Sequence, residues 1–238
     1  YQTEFTSWTG KGYRLSQVSG YSDGGQDRYA AIFEKTSGPA WAAKHGLTGA
    51  QYQTEFNNFT KQGYRPIQVS GFPSGNQAKY ACIFIKEANP PAWAAKHGMT
   101  ATQYQAEFNN WTGKGYRLID ISGYTVGGTD FYAAIWEKSS GPAWVAKHNM
   151  SSADYQTEFN EKSGQGYRLV KVSGYSSGNA ARFAAIWEKT GGPAMQARHA
   201  LAGAQGYQDE FDRLYYQGYR PVWVNGYTVN NKDNYAGI

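Results

Sequence analysis

Two apolar periods alternate along this chain. Tyr52, Phe56 and Phe59 fall at i, i+4 and i+7, one face of a helix. Thr48 with Gln51, and Thr100 with Gln103, have the spacing of a capping box just ahead of that pattern, and Gly63 stands where a left-handed residue would end it. The spacing predicts about three turns of amphipathic helix. A period of two follows. Ser16, Ile67, Ile119, Val170 and Val222 stand two residues before Val18, Val69, Ile121, Val172 and Val224, with Gln17, Gln68, Asp120, Lys171 or Trp223 between, which reads as a strand with one buried face. A glycine-rich turn such as YSDGGQD leads into a second strand with Ala30 and Ile32 on one face and Tyr29, Ala31 and Phe33 on the other, the pattern of a hairpin.

The pattern repeats. Tyr1, Tyr52, Tyr104, Tyr155 and Tyr207 each open a YQxEF segment at intervals of 51 or 52 residues, and each is followed by a GYR triplet and an SGY-like triplet. Counted from these tyrosines the units are 1–51, 52–103, 104–154, 155–206 and a truncated 207–238, a single array of α+β class built from helix-strand-strand repeats. A lone hairpin is marginal in water, so the units must stack. The Ile/Val face is expected under the helices, and the Tyr/Trp face is expected to be concave or covered by the GPAW loops. Sheet edges at both ends of such an array permit head-to-tail self-association. Five units near 50 residues also suit the blades of a glycan-binding propeller, a second architecture open at this point.

Composition narrows the field. With 238 residues, 40% of them apolar, the chain can bury a core, and no apolar run approaches the roughly 18 residues of a membrane span. No signal segment opens the chain and Tyr1 is no initiator, so it reads as a processed product or a piece of something longer. The net charge of +5 comes from bases scattered among acids, so nucleic-acid binding is not indicated. The single Cys82 excludes an internal disulfide.

The repeated PAWAAKHGLTGAQYQTEF, GYRLSQVSGY and RYAAIFEK segments resemble the bacterial tandem repeat domain family, found also as the N-terminal domain of fungal polyglycine hydrolases. The resemblance covers essentially the whole chain. It implies an open half-barrel-like sheet with helices on one face, joined by left-handed crossovers against the usual right-handed rule. It also implies an exported, extracellular parent in which hydrolysis belongs to a separate β-lactamase-like serine domain. The Ser-x-x-Lys motif of such a domain is absent here, because no lysine has a serine three residues before it. The function expected is therefore non-enzymatic, a binding or spacing module accessory to another domain, with a segment of a secreted serine hydrolase as the alternative.

Candidate chemistry is thin. His45, His97, His148 and His199 share one position, and stacked strands would hold them too far apart for one metal ion, so a ring bonded to nearby loop backbone is the reading adopted. Trp41, Trp93, Trp144 and Met195, four residues earlier, read as packing between units. Glu4, Glu55, Glu107, Glu158 and Glu210 recur with Arg14, Arg65, Arg117, Arg168 and Arg220 and suggest a ladder of ion pairs. Cys82, at an alanine position, reads as an inert buried thiol. The candidate ligand surface is the aromatic strand face, Tyr29, Phe33, Tyr80, Phe84, Tyr132, Trp136, Phe183, Trp187 and Tyr235, which could stack on a polysaccharide or grip an extended peptide. No catalytic residue, metal ligand or cofactor site is assigned.

Overall fold

A computed structural model describes residues 1–238. The chain runs α1 (Gln2–Gly10), β1 (Arg14–Asp23), β2 (Gln26–Glu34), β3 (Ala40–Thr48), α2 (Gly49–Lys61), β4 (Arg65–Ser74), β5 (Gln77–Lys86), β6 (Trp93–Thr100) and α3 (Ala101–Gly113). It continues β7 (Arg117–Val126), β8 (Thr129–Glu137), β9 (Trp144–Met150), α4 (Ser152–Gly164), β10 (Arg168–Ser177), β11 (Ala180–Glu188), β12 (Arg198–Ala202), α5 (Gly203–Tyr215), β13 (Val224–Val229) and β14 (Lys232–Gly237). It is an α+β repeat fold of five units.

Helix punctuation follows the local sequence. Thr48 and Gln51, Thr100 and Gln103, and also Ser151 and Asp154, form reciprocal capping boxes; such a cap is worth about 1 kcal/mol. Helix α2 ends in a Schellman turn, in which Gly63 (φ 82°) donates to the Thr60 carbonyl and Tyr64 to the Phe59 carbonyl. The Phe59 and Tyr64 rings then meet at 5.5 Å, the apolar contact that accompanies this turn. Thus in GYR the glycine stops the helix, the tyrosine clamps it and the arginine starts the strand.

Each of the first four units carries one strand more than the helix-strand-strand reading. The GPAW segments, expected as loops, lead into outer strands that pair with the hairpin of the following unit, giving sheets in the order β3-β5-β4, β6-β8-β7, β9-β11-β10 and β12-β14-β13, with β1-β2 two-stranded. Because β3 and β4 are both antiparallel to β5, they are parallel to each other and are joined over it by α2. The outer strands are alanine-rich and break register beside a left-handed residue, Gly46, Gly98, Asn149 or Ala200, which hides any period of two.

The inner strands also depart from simple alternation. Register shifts between Leu15 and Gln17, and at the matching places in β4, β7 and β10, so the residue skipped is Ser16, Ile67, Ile119 or Val170. These are not the core positions that alternation predicted: Ser16 is exposed, the next three are half-buried, and Val222 is 53% exposed. The bulge turns inward the polar residues that follow it, and Gln17, Gln68 and Asp120 are buried.

Both faces of the hairpins are covered, with the assignment reversed from expectation. The aromatic face lies beneath the helix of its own unit: Tyr52 stacks on Tyr80, Tyr104 on Tyr132 and Tyr155 on Phe183, at 4.9–5.0 Å. The Ala/Ile face packs on the preceding unit, as Ala133 and Ile135 do on Val69 and Cys82. A large ring needs the thick layer a helix provides, whereas alanines let two sheets approach closely.

The array closes on itself. A Cβ added to Gly20, Gly71, Gly123 or Gly174 would lie 2.3–2.6 Å from the ring of Phe72, Tyr124, Tyr175 or Tyr227 in the next unit, and one on Gly226 would lie 2.5 Å from Tyr21 of the first. Hydrogen bonds repeat the circuit: the amides of Gly20, Gly71, Gly123 and Gly174 donate to Ser70, Ser122, Ser173 and Asn225, and that of Gly226 donates to Ser19. Tyr21 and Tyr235 hydroxyls also meet across this last seam at 2.6 Å. The molecule is thus a closed ring of five short sheets rather than one open, half-barrel-like sheet, and its two inner-strand ends bond to each other. It combines a propeller's circular closure with a helix in every unit. No helix is long and apolar enough to cross a membrane.

Four substitutions test this closure and its packing. Ser19→Ala, at the seam of fifth and first units, should cost about 1–3 kcal/mol in urea denaturation, as should Ser122→Ala inside the array, because each leaves a buried glycine N–H unpaired; a neutral Ser19→Ala beside a costly Ser122→Ala would mean an open ring. Gly123→Ala should lower the stability by about 1–3 kcal/mol through overpacking, and Tyr175→Ala in the same chain should make that glycine change nearly free.

Candidate functional site

The histidines form wedges between tyrosines. His97 meets Tyr52 at 4.7 Å and Tyr80 at 5.1 Å, both edge-on, and His45, His148 and His199 repeat the arrangement on Tyr1 and Tyr29, Tyr104 and Tyr132, and Tyr155 and Phe183. Each lies in an outer strand rather than a loop, and ring packing replaces the expected backbone bond; His199 alone adds a contact to the Ser152 hydroxyl, 3.1 Å from Nε2. Trp41, Trp93 and Trp144 pack on Phe5, Phe56 and Phe108 of one unit while their strands pair with the next.

Glutamates and arginines belong to two ladders, not one. Glu55, Glu107, Glu158 and Glu210 pair with Lys44, Lys96, Lys147 and Arg198 of the strand before their own helix, at 2.7–3.5 Å. Glu55 and Glu107 lie past the first helical turn, so the helix N-terminus does not hold them. The arginines reach forward to the next unit: Arg65 to Glu137, Arg117 to Glu188 and Arg220 to Glu34, at 2.9, 2.9 and 2.5 Å. Arg65 also takes Glu87 of its own unit at 2.6 Å. The bases and acids carry the same charge pattern in sequence whichever way they pair, so only the crossing of outer strands decides between them.

The aromatic row is core. Tyr80, Phe84, Tyr132, Trp136, Phe183, Trp187 and Tyr235 are at most 5% exposed, and only Tyr29 and Phe33, in the two-stranded first sheet, are half-buried. A face covered by helices offers no open platform. Cys82 is fully buried, and burial pushes its thiol up to about 12, which keeps it protonated.

Sequence reasoning missed a buried circuit at the residue after the bulge. Gln17 donates to the Val224 carbonyl, Gln68 bonds both backbone groups of Val18, Asp120 accepts from the Val69 amide, and Trp223 donates to the Val172 carbonyl. Five unlike side chains thus occupy one position, four of them tying the same backbone in the preceding unit. Lys171 lies 3.9 Å from Asp120 and 3.9 Å over the Trp223 ring. Burial dominates this pair, pushing Asp120 up to about 6 and holding Lys171 below the usual lysine value. Only the variability of the position hinted at a polar role.

One large groove remains, about 530 Å³, on the fifth unit. Phe211, Leu214, Tyr215 and Met195 give it an apolar wall, while Arg168, Arg220 and Glu210 bring charge to it. Tyr215 is 61% exposed and stacks on Phe211 at 6.1 Å. This arrangement can hold an aromatic or extended apolar group beside an anion.

Ring, seams and groove together define a closed α+β repeat assembly in which the repeated ion pairs lie chiefly between units. A family model described as polyglycine hydrolase-like, structural repeat, matches residues 1–36, 38–87, 90–139, 141–190 and 192–238. The chain belongs to this structural repeat family. Its second repeat, 38–87, encloses β3, α2, β4 and β5, one complete sheet.

The histidine wedges make stability depend on pH. Burial holds all four rings below the ordinary imidazole value of 6.5, so below that pH the unfolded chain binds protons that the folded one refuses. Their contribution is full above about 6.5 and is lost as pH falls toward the folded values. Asp120, with its raised value, acts oppositely between about 4 and 6. Urea midpoints should therefore fall from pH 7 to pH 5, and His97→Phe, which keeps the ring contact, should flatten that slope.

Proposed function

We propose that this ring is a non-catalytic, extracellular module that spaces and binds, accessory to another domain of a larger polyglycine hydrolase-like protein. The observation that carries the reading is the use of the repeated polar groups: glutamates and ladder arginines pair mostly across units and the histidines wedge between rings of their own unit, while one groove with aromatic and basic walls stays accessible. A ring closed at every seam is stiff, which suits a spacer. The groove suits an extended peptide or a polysaccharide, since exposed aromatic rings stack on either. The extracellular placement rests on the family resemblance. That resemblance also supports a second reading, in which the ring is one segment of a secreted serine hydrolase and holds the enzyme's polymeric substrate near a separate catalytic domain.

Glycan and peptide arrays probed with this chain test the binding role. Captured ligands should bind roughly 3- to 10-fold more weakly to Tyr215→Ala, which removes an exposed stacking ring without disturbing the core. No capture in either library would overturn the binding half of the proposal.

A further inference from the structure

Charges that are scattered along the sequence are sorted by the fold. Inner strands start opposite the ends of middle strands, as Arg65 does opposite Ile85 and Arg117 opposite Glu137, and each helix runs down to the inner strand that follows it. The inner strands lie side by side in matching register around the ring. These places therefore collect at one end of the molecule, and the hairpin turns at the other. Lys35, Lys86, Lys138 and Lys189 close the middle strands at the first end, and Lys11, Lys61 and Lys114 close helices there. All seven are exposed and none forms an ion pair. By contrast Lys44, Lys79, Lys96, Lys147, Lys162 and Lys171 each lie within 3.9 Å of a carboxylate, and of the remaining lysines only Lys232, at a hairpin turn, does not. The acids of the lysine end are already engaged: Glu34, Glu87, Glu137 and Glu188 go to ladder arginines and Glu161 to Lys162. At the hairpin end bases and acids meet, Arg28 with Asp23 and Lys79 with Asp27.

These lysines are held in place. Lys35, Lys86, Lys138 and Lys189 extend over the GYR tyrosine of their own unit, Tyr13, Tyr64, Tyr116 or Tyr167, at 5.7–5.9 Å. The stems of Lys86 and Lys189 cross the bare glycine of that triplet, where a Cβ on Gly63 or Gly166 would meet them at 3.6 and 4.0 Å. Lys11 and Lys114 stand over Trp8 and Trp111 at 4.7 and 4.8 Å, and those indoles pack on Tyr13 and Tyr116 at 5.0 and 4.9 Å. In the first and third units two ammonium groups thus flank one aromatic pair. A ring attracts an ammonium without neutralising it, so each lysine keeps N–H donors for an anion. Part of the rotamer freedom that a loose lysine loses on gripping an anion is already lost here.

The kind of anion follows from the other groups at this end. Arg65, Arg117 and Arg220 turn their forks to carboxylates, so the bidentate grip that suits phosphate is directed inward. The aromatic faces carry lysines, which leaves nucleic-acid bases no platform to stack on. Gln62 stands exposed where the first and third units have Lys11 and Lys114, an amide suited to hydroxyl groups. A periodic row of ammonium groups with an amide among them matches a polymer that carries one carboxylate on each sugar.

We propose that this end of the ring binds an acidic polysaccharide, its carboxylates on the lysines that close the middle strands. The surface is separate from the groove of the fifth unit, and the ligand class rests on the binding role proposed above and narrows it.

The probe is short polygalacturonate, titrated into the full chain by calorimetry at low salt. Binding should weaken steeply with added salt, because the polyanion releases counterions on binding, and neutral dextran should not bind. The triple change Lys35→Gln, Lys86→Gln and Lys138→Gln should weaken binding roughly tenfold or more and flatten the salt dependence. Lys35→Arg, Lys86→Arg and Lys138→Arg together should retain it. Lys44→Gln, Lys96→Gln and Lys147→Gln remove the same charge from paired lysines, and together should change affinity less than about threefold. Equal losses in the two glutamine triples would overturn the proposal, because net charge and not this surface would then govern capture. So would tighter binding of oligo-dT, poly-glutamate or phosphatidylserine vesicles than of polygalacturonate. If polygalacturonate does not bind up to about 1 mM while the arrays return ligands that Tyr215→Ala weakens, this inference fails and the broader binding role stands.

Discussion

At five places around the axis, the backbone of a glycine meets the ring of the next unit's Phe72, Tyr124, Tyr175, Tyr227 or Tyr21, so closely that no side chain fits between them. Each contact fixes the distance and turn from one inner strand to the next. Five identical steps bring the last strand back to the first, and the amide of Gly226 finds Ser19 as the other four find their own neighbours. None of these glycines has a left-handed φ, so it is space and not backbone freedom that requires them.

Once that spacing is set, the remaining surfaces have little choice. Middle strands must bury an Ala/Ile face on the preceding unit and an aromatic face beneath a helix, and outer strands must cross from one unit to the next. Histidine, tryptophan and the two charge ladders all act at these crossings. The residues most suggestive of chemistry in the sequence are thereby the ones that hold units together. Asp120 and Lys171 show how much the close packing will tolerate: an ion pair with one buried and one half-buried partner is weak evidence for stability in itself, yet the amide of Val69 and the ring of Trp223 give each charge a second neighbour. What these engagements leave is a ring whose units are tied at every seam.

The local features were legible in the sequence because their causes are local. Thr48 and Gln51 satisfy each other's backbone three residues apart, Gly63 needs its left-handed φ whatever surrounds it, and YSDGGQD turns a hairpin by itself. Recurring copies of these signals determined the repeat, the α+β class and the family. The inner-strand bulge was not legible, since skipping Ile67 leaves the apolar pattern looking like plain alternation while turning Gln68 inward.

Tertiary structure alone decided the rest. Nothing within a unit says that Ala40–Thr48 pairs with the following hairpin, that Arg117 reaches Glu188 instead of Glu107, or that Tyr132 lies under a helix instead of facing a ligand. Those outcomes depend on which unit lies beside which and at what angle. A repeating sequence specifies each step of such an assembly, but whether the steps close is set by the small rotation between neighbours, and that rotation comes from the contact of glycine with ring.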